Sequence, residues 1–315
     1  MNFNNRDKKI VIFLMGPTAC GKSQVAINLR KHLPIELISV DSALIYKGMD
    51  IGTDKPSIFD LLNHPHRLIN IKDPIESYSA SEFLNDALSE ISDIIKSNKI
   101  PCLVGGTMFY YKTLLKGLPI LPPSNFKIRE YLLQKKIEKN FLHEQLLLVD
   151  PISAIRIHKN DHQRLLRALE IFYISGKNLT ELTNENNYKL PYTVVQFAII
   201  PPNKNWINEK IKLRVKRILN ANFQKEVETL FFRGDLSLKL PSIRCIGYRQ
   251  MWKYLEYKIS YRDMFYEIIY ATRKLAKHQL TWLNKWKNIN ILKSDLNAIQ
   301  IITKIFKIII NKISI

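Results

Sequence analysis

The stretch that most constrains this chain is residues 10–23, IVIFLMGPTACGKS. The unbroken apolar run from Ile10 to Met15 is too short to cross a membrane. It also lacks the alternation of a half-exposed strand, so it predicts a strand buried in a parallel sheet. Gly16-x-x-x-x-Gly21-Lys22-Ser23 comes next, and a helical pattern (Val25, Ala26, Leu29) follows it. Strand, glycine-rich loop and helix in that order read as a phosphate cradle. The two glycines let the backbone N–H groups of Gly16, Pro17's neighbours, Thr18, Ala19, Cys20 and Gly21 turn inward. The helix N-terminus adds positive potential, Lys22 adds a full charge, and the Ser23 hydroxyl can hold Mg²⁺. The ligand carries two or more phosphates, and the loop leaves open whether it is a nucleotide.

Charge is the outlier in composition: 48 Lys+Arg against 28 Asp+Glu, net +20 in 315 residues. A polyanionic partner accounts for this, nucleic acid before membrane. A compositional drift towards Ile, Lys and Asn accounts for part of the excess as well. The 46% hydrophobic and 24% charged content is that of a folded protein of one or two domains. Cys20, Cys102 and Cys245 are widely spaced without a C-x-x-C, which argues for a reducing cytoplasm and against a zinc site. The first nine residues lack a hydrophobic signal region, and no stretch reaches roughly 18 apolar residues. Residues 301–315 are apolar with interspersed lysines and predict an amphipathic packing helix.

Along the chain, residues 35–40 predict a second strand ending at Asp41-Ser42-Ala43-Leu44, and residues 100–104 a third ending at Gly105-Gly106-Thr107. In open α/β sheets, ligands bind beyond the carboxyl ends of strands, so Asp41 would face the crevice of the phosphate loop. Asp41 reads equally as a helix N-cap. Residues 77–96 predict a helix capped by Ser79 or Ser81. The proline-rich residues 118–124 mark a boundary. From 125 to 190 the pattern is helical: 129–139, 142–149, a turn at Asp150-Pro151, then 163–174 closed by Gly176. Arg164 and Arg167 share a face there, as an RNA contact or as a solvated basic face. Strand character returns at 192–200, and helices follow, the first near 206–220. Residues 241–250, PSIRCIGYRQ, form a basic loop-to-helix junction. A long helix over about 261–285 places His278 and Trp282 on one face among basic side chains, which suits RNA or an ordinary amphipathic helix.

Six stretches in order, 16–23, 39–53, 103–107, 163–170, 242–252 and 271–282, make the chain resemble the bacterial tRNA dimethylallyltransferases, from about residue 10 to 286. The resemblance implies a P-loop-type α/β core (1–122 and 191–315) with a parallel sheet flanked by helices. A helical insertion (123–190) would serve tRNA binding. It implies transfer of a dimethylallyl group from dimethylallyl diphosphate to N6 of the adenosine 3′ of the anticodon, in tRNAs reading codons that begin with U. The chain would be a cytoplasmic monomer using Mg²⁺, with no membrane partner. Residue by residue, it makes Asp41 the general base and Thr107 a substrate-orienting tRNA contact. Residues 16–23 would hold the diphosphate, with Thr18 touching it, and Ser23 would hold the metal. Contacts to the tRNA anticodon stem-loop would come from Asp41, Ser42, Ala43, Leu44, Thr107 and Arg129. Gln163, Arg164, Leu165, Leu166 and Arg167 would add to them, then Arg244, Cys245, Ile246, Gly247, Tyr248 and Arg249. Lys277, His278, Gln279, Leu280, Thr281, Trp282, Leu283 and Asn284 complete the set. The chain departs from the family at Cys20 (often Ser), His278 and Asn284 (usually Arg) and Asp54 (usually Ala). A small-molecule kinase would share residues 10–60 but leaves the two basic blocks unexplained. A GTPase lacks its Asn-Lys-x-Asp motif, and a non-catalytic RNA-binding protein leaves the phosphate loop without a purpose.

Overall fold

The computed structural model describes residues 9–135, 140–184 and 188–313. The phosphate-loop strand, β1 (Ile10–Met15), is buried along its whole length, as its unbroken apolar run requires. It leads into α1 (Lys22–Arg30). Next come β2 (Ile35–Val40), the short α2 (Ile58–Asn63), β3 (His66–Arg67), α3 (Ala80–Lys96), β4 (Ile100–Gly105) and α4 (Met108–Lys116). Ser79 caps α3 in a reciprocal box with Glu82, one of the two caps expected.

The chain divides into two compact units, Thr113–Leu190 and the remainder. The smaller unit holds α5 (Phe126–Lys135), α6 (Phe141–Val149), α7 (Pro151–Arg156), α8 (His162–Ser175) and α9 (Leu179–Asn184). Leu132, Leu142, Leu146, Leu165 and Leu169 form its core. The unit begins before the expected border at 123. The proline-rich stretch belongs to it, because Arg167 of α8 donates to the Pro122 carbonyl at 2.7 Å. The expected turn at Asp150-Pro151 is instead a helix start. Asp150 accepts from the Ser153 N–H, and Pro151 occupies the first helical position, where no N–H is needed. Gly176 ends α8 in the left-handed conformation. The expected continuation of the first helix to 139 falls on residues 136–139, outside those described.

The larger unit resumes with β5 (Thr193–Ile200), α10 (Lys204–Asn220), α11 (Phe223–Phe231), α12 (Tyr248–Leu255), α13 (Tyr261–Asn284), β6 (Asn290–Lys293) and α14 (Ala298–Ile313). All pairings are parallel, in the order β3-β2-β4-β1-β5-β6. Ile10, Ile12 and Leu14 pack on one side of the sheet with side chains of α1, α10 to α14. Phe13, pointing the other way, meets the Tyr111 ring at 4.9 Å. The amphipathic tail is α14, which buries Ile301, Ile305 and Ile309; residues 314–315 lie outside the described range. β3 and β6, two edge strands of two and four residues, had no sequence signal. Their length is below what alternation can register.

The strand order positions everything that follows. β4 lies between β1 and β2, and the final rung of the ladder is Met15–Gly105–Val40. Gly16, Gly106 and Asp41 therefore emerge side by side at one edge of the sheet.

Candidate active site

The phosphate loop reverses into α1 at Gly21, whose φ of 78° at the helix N-cap favours glycine. Lys22 curls back, its Nζ donating to the Pro17 carbonyl at 2.7 Å. Burial lowers its pKa to about 8, against the opposing pull of Cys20 and Asp41, with Arg214 adding to the depression. On the far side of the loop, the buried amide of Gln279 on α13 joins two strand ends. Its Oε1 accepts the Thr18 N–H at 2.9 Å, and its Nε2 donates to the Gly106 carbonyl at 2.9 Å. This bridge gives the half-buried Thr18 N–H its partner and adds a second donor to the Gly106 carbonyl, which also accepts the Met108 N–H at 3.1 Å.

At the end of β2, Asp41 Oδ1 accepts the Ala43 N–H at 2.8 Å and makes an Asx turn. No α-helix begins there, so the N-cap reading gives way to a turn. The carboxylate is half-buried and lines the cleft. Thr107 Oγ1 accepts the Ser42 N–H at 3.3 Å, so the ends of β2 and β4 are tied together.

The cleft they share has a volume of about 520 Å³. Lys22, Ser23, Asp41, Thr107 and Arg214 line it, and Val215, Ile218, Leu219, Phe223, Ile246 and Ile268 give it an apolar wall. Arg214, on α10, had not been singled out from the sequence. Its spacing within a lysine-rich amphipathic helix resembles that of any solvated cation, and only the packing of α10 turns it inward. Burial lowers the pKa of its guanidinium, while Asp54 and Asp41 pull the other way. A second residue missed is Glu226 of α11. Its carboxylate accepts the N–H groups of Asp50 (2.9 Å), Ile51 (2.7 Å) and Gly52 (3.1 Å) and the Tyr248 hydroxyl (2.6 Å). It thereby shapes the loop that floors the cleft. A Cβ on Gly52 would collide with the Phe223 and Tyr248 rings, so this close approach requires glycine.

The expected RNA-contacting residues fall into three groups. Ser42, Ala43, Leu44, Arg244, Cys245, Ile246, Gly247, His278 and Trp282 border the cleft with Asp41 and Thr107. Lys112 sits 5.7 Å over the Trp282 ring. Arg249, Lys277, Thr281 and Asn284 are exposed, and Leu280 is half-buried. In the helical unit, Gln163 and Arg164 are exposed, while Arg129 and Arg167 are gripped by the buried Glu170 at 2.8 and 2.7 Å. Four of the expected residues have their side chains inside the protein. Leu165, Tyr248 and Leu283 are core residues, and Gln279 is committed to the strand-end bridge. Leu166 packs partly against the same core as Leu165. Their place in these motifs is explained by packing, which carries the exposed neighbours at fixed angles.

Ser23 stands at the first turn of α1, exposed, and its hydroxyl has no protein partner among the described residues. Among the described residues no three His, Cys, Asp or Glu side chains come together as a metal site. A lone hydroxyl beside a phosphate cradle fits Mg²⁺, which keeps several waters and takes its remaining ligands from phosphate oxygens. Among the described residues, no helix is long and apolar enough to cross a membrane.

Comparison with known proteins agrees with this geometry. The family model described as IPP transferase matches residues 44–286. The tRNA dimethylallyltransferase of Buchnera aphidicola subsp. Acyrthosiphon pisum (strain APS) is 70% identical over 309 residues, 98% of either chain. That of Buchnera aphidicola subsp. Baizongia pistaciae (strain Bp) is 56% identical, covering 98% of this chain and 96% of the other. Among solved structures, the full-length tRNA isopentenylpyrophosphate transferase of Bacillus halodurans superposes with a TM-score of 0.73 at 30% identity, over 98% of this chain and 97% of that one. A eukaryotic dimethylallyltransferase acting on tRNA gives 0.80 at 26% identity, over 91% and 74%. Sheet order, phosphate loop and near full-length similarity converge, and the chain belongs to the tRNA dimethylallyltransferase (IPP transferase) family.

Proposed function

We propose that this chain isopentenylates tRNA by moving a dimethylallyl group from dimethylallyl diphosphate to N6 of the adenosine 3′-adjacent to the anticodon, in tRNAs whose codons begin with U. One observation supports this above the others. A single rung of the sheet delivers a phosphate loop and a carboxylate to one cleft that also has an apolar wall. A diphosphate would lie on the loop N–H groups, Lys22 and Arg214. The five-carbon tail would lie along Ile218, Leu219 and Phe223. Two strand spacings, about 10 Å, separate the loop from Asp41, which leaves room for the allylic carbon between them.

As the C–O bond breaks, negative charge grows on the leaving diphosphate, and donors already aimed at it stabilise that charge. Ser23 and the diphosphate oxygens would hold Mg²⁺, which supplies further charge neutralisation at the leaving group. The adenine amine is a weak nucleophile because its lone pair is delocalised into the ring. Asp41 accepts its proton as the N–C bond forms, a contribution of roughly 10²–10⁴-fold. Thr107, tied to the Asp41 turn through Ser42, orients the base. The adenosine must leave its stack to reach the cleft, at a cost of about a few kcal/mol. Trp282, His278 and Arg244 at the rim offer stacking and charge for it. Arg129, Gln163, Arg164 and Arg167 of the helical unit are assigned to the tRNA backbone. A cytoplasmic monomer is sufficient for this chemistry.

Transfer of labelled dimethylallyl to an anticodon stem-loop tests the proposal. Asp41→Asn should lose about 10²–10⁴-fold in kcat with little change in donor affinity. Protection against unfolding by ATP but not by dimethylallyl diphosphate, with no transfer, would instead establish a phosphotransferase.

A further inference from the structure

The floor of the cleft carries an acidic residue where the family resemblance leads one to expect alanine. Asp54 has its backbone in the left-handed region, φ 57°, which aspartate tolerates better than most residues. Its two carboxylate oxygens face two arginines one helical turn apart on α10. Oδ2 pairs with Arg214 Nη1 at 3.1 Å, and Oδ1 accepts from Arg217 Nη2 at 2.5 Å. Arg214 has a second anchor, Nη2 donating to the Thr53 carbonyl at 3.0 Å. Asp54 lines the main cleft beside Lys22 and Ser23, and it also lines the outer groove that continues past them.

Two consequences follow from charge and geometry. A guanidinium half-buried in the cleft needs a counter-charge when no substrate is present, and Asp54 supplies it. The same carboxylate sits beside the place where a multiply charged diphosphate would lie, and like charges at such range oppose binding. Arg214 is held by the Thr53 carbonyl as well as by Asp54, so the carboxylate is not its sole anchor in the cleft.

We propose that Asp54 is a built-in counter-anion of the diphosphate site. It occupies Arg214 while the cleft is empty and yields it to the incoming diphosphate, so that both donor and released pyrophosphate are held more loosely than the cationic pocket alone would hold them. Arg217, on the outer side, already bonds the other carboxylate oxygen and retains it when Arg214 is released. Asp54 is thus a positioning residue acting through Arg214. This rests on the reading of the cleft as a diphosphate site.

The test is calorimetric titration of inorganic pyrophosphate, with Mg²⁺, into the full chain as wild type, Asp54→Ala, Asp54→Asn and Lys22→Ala. Asp54→Asn keeps size and an acceptor oxygen, which guards against misfolding of the alanine variant. Thermal melts check that each variant is folded. The expected result is a Kd at least fivefold lower in both Asp54 variants, with Lys22→Ala raising it more than tenfold. Unchanged or weaker pyrophosphate binding in both Asp54 variants, with wild type binding and Lys22→Ala impaired, would overturn the counter-anion role while leaving the diphosphate site intact. Absence of pyrophosphate binding by wild type would overturn the diphosphate reading and this proposal with it.

Discussion

Gln279 accepts the backbone N–H of Thr18 at 2.9 Å, across 261 residues of chain. Its amide nitrogen closes the link to Gly106. The contact locks the phosphate loop to the end of β4, and so to Thr107 and the Asp41 turn. Gln279→Ala should leave the Thr18 N–H without its partner, cut the tie to the Gly106 carbonyl and let the loop shift relative to Asp41. Displacements of about 1 Å cost on the order of 10² in rate. Steady-state kinetics should show kcat falling by about 10–100-fold. Gln279→Glu should fare no better, since a carboxylate cannot donate to the Gly106 carbonyl.

Lys22 sets an alkaline limit on donor binding. Its pKa of about 8 means the ammonium is present below that pH and lost above it. Since the diphosphate binds the charged form, affinity relative to Lys22→Arg, a comparison that cancels the titration of the pyrophosphate itself, should be highest below about pH 8. It should then weaken above 8, approaching about tenfold per pH unit. Pyrophosphate titrations of both proteins across pH 6.5–9.5 would show the break. Lys22→Arg stays charged throughout this range, so its own profile should lack the break even if it binds less well.

Glu226 gathers three consecutive backbone N–H groups and the Tyr248 hydroxyl onto one carboxylate. Hydrogen bonds to a charged group are worth about 1.5–3 kcal/mol each. Glu226→Gln replaces one acceptor oxygen by an NH₂ that faces N–H groups, so at least one bond becomes a repulsion. Urea denaturation should show a loss of about 2–3 kcal/mol. Donor KM should rise as well, because residues 52–54 line the cleft.

Glu170 plays the corresponding part in the helical unit. Burial alone would raise its pKa, but Arg129, Arg167 and the Asn125 N–H outweigh that and hold it below the ordinary carboxylate value. A carboxyl depressed on folding contributes stability above its unfolded pKa, about 4.3. That stability is lost as pH falls through the folded value. Denaturation followed by helicity should therefore weaken below about pH 4.3 in wild type. Glu170→Ala should cost about 1.5–3 kcal/mol at pH 7, since the two arginines are partly exposed and regain water while the Asn125 N–H loses its acceptor, and tRNA affinity should fall with it.

What the chain declares locally, it declares in residues adjacent in sequence. The apolar run 10–15 followed by Gly16, Gly21 and Lys22 needs only its own backbone conformations to become a phosphate loop. The Ser79–Glu82 cap and the Gly176 stop are likewise local hydrogen-bonding and φ requirements. Asp41 was legible as a strand-end carboxylate, yet its choice between helix cap and cleft depended on whether a helix followed. The order β2-β4-β1 settled that by placing Val40 level with Gly105 and Met15. Arg214 and Glu226 gave no local sign, and Gln279 and Asp54 none of the contacts they make, because each acts on a partner more than 150 residues away, as Arg214 does on Thr53 and Glu226 on Gly52. A side chain's sequence neighbours report its own conformation. Only the packing of α10, α11 and α13 against the sheet decides which distant backbone groups it must satisfy, and with that the shape and charge of the cleft.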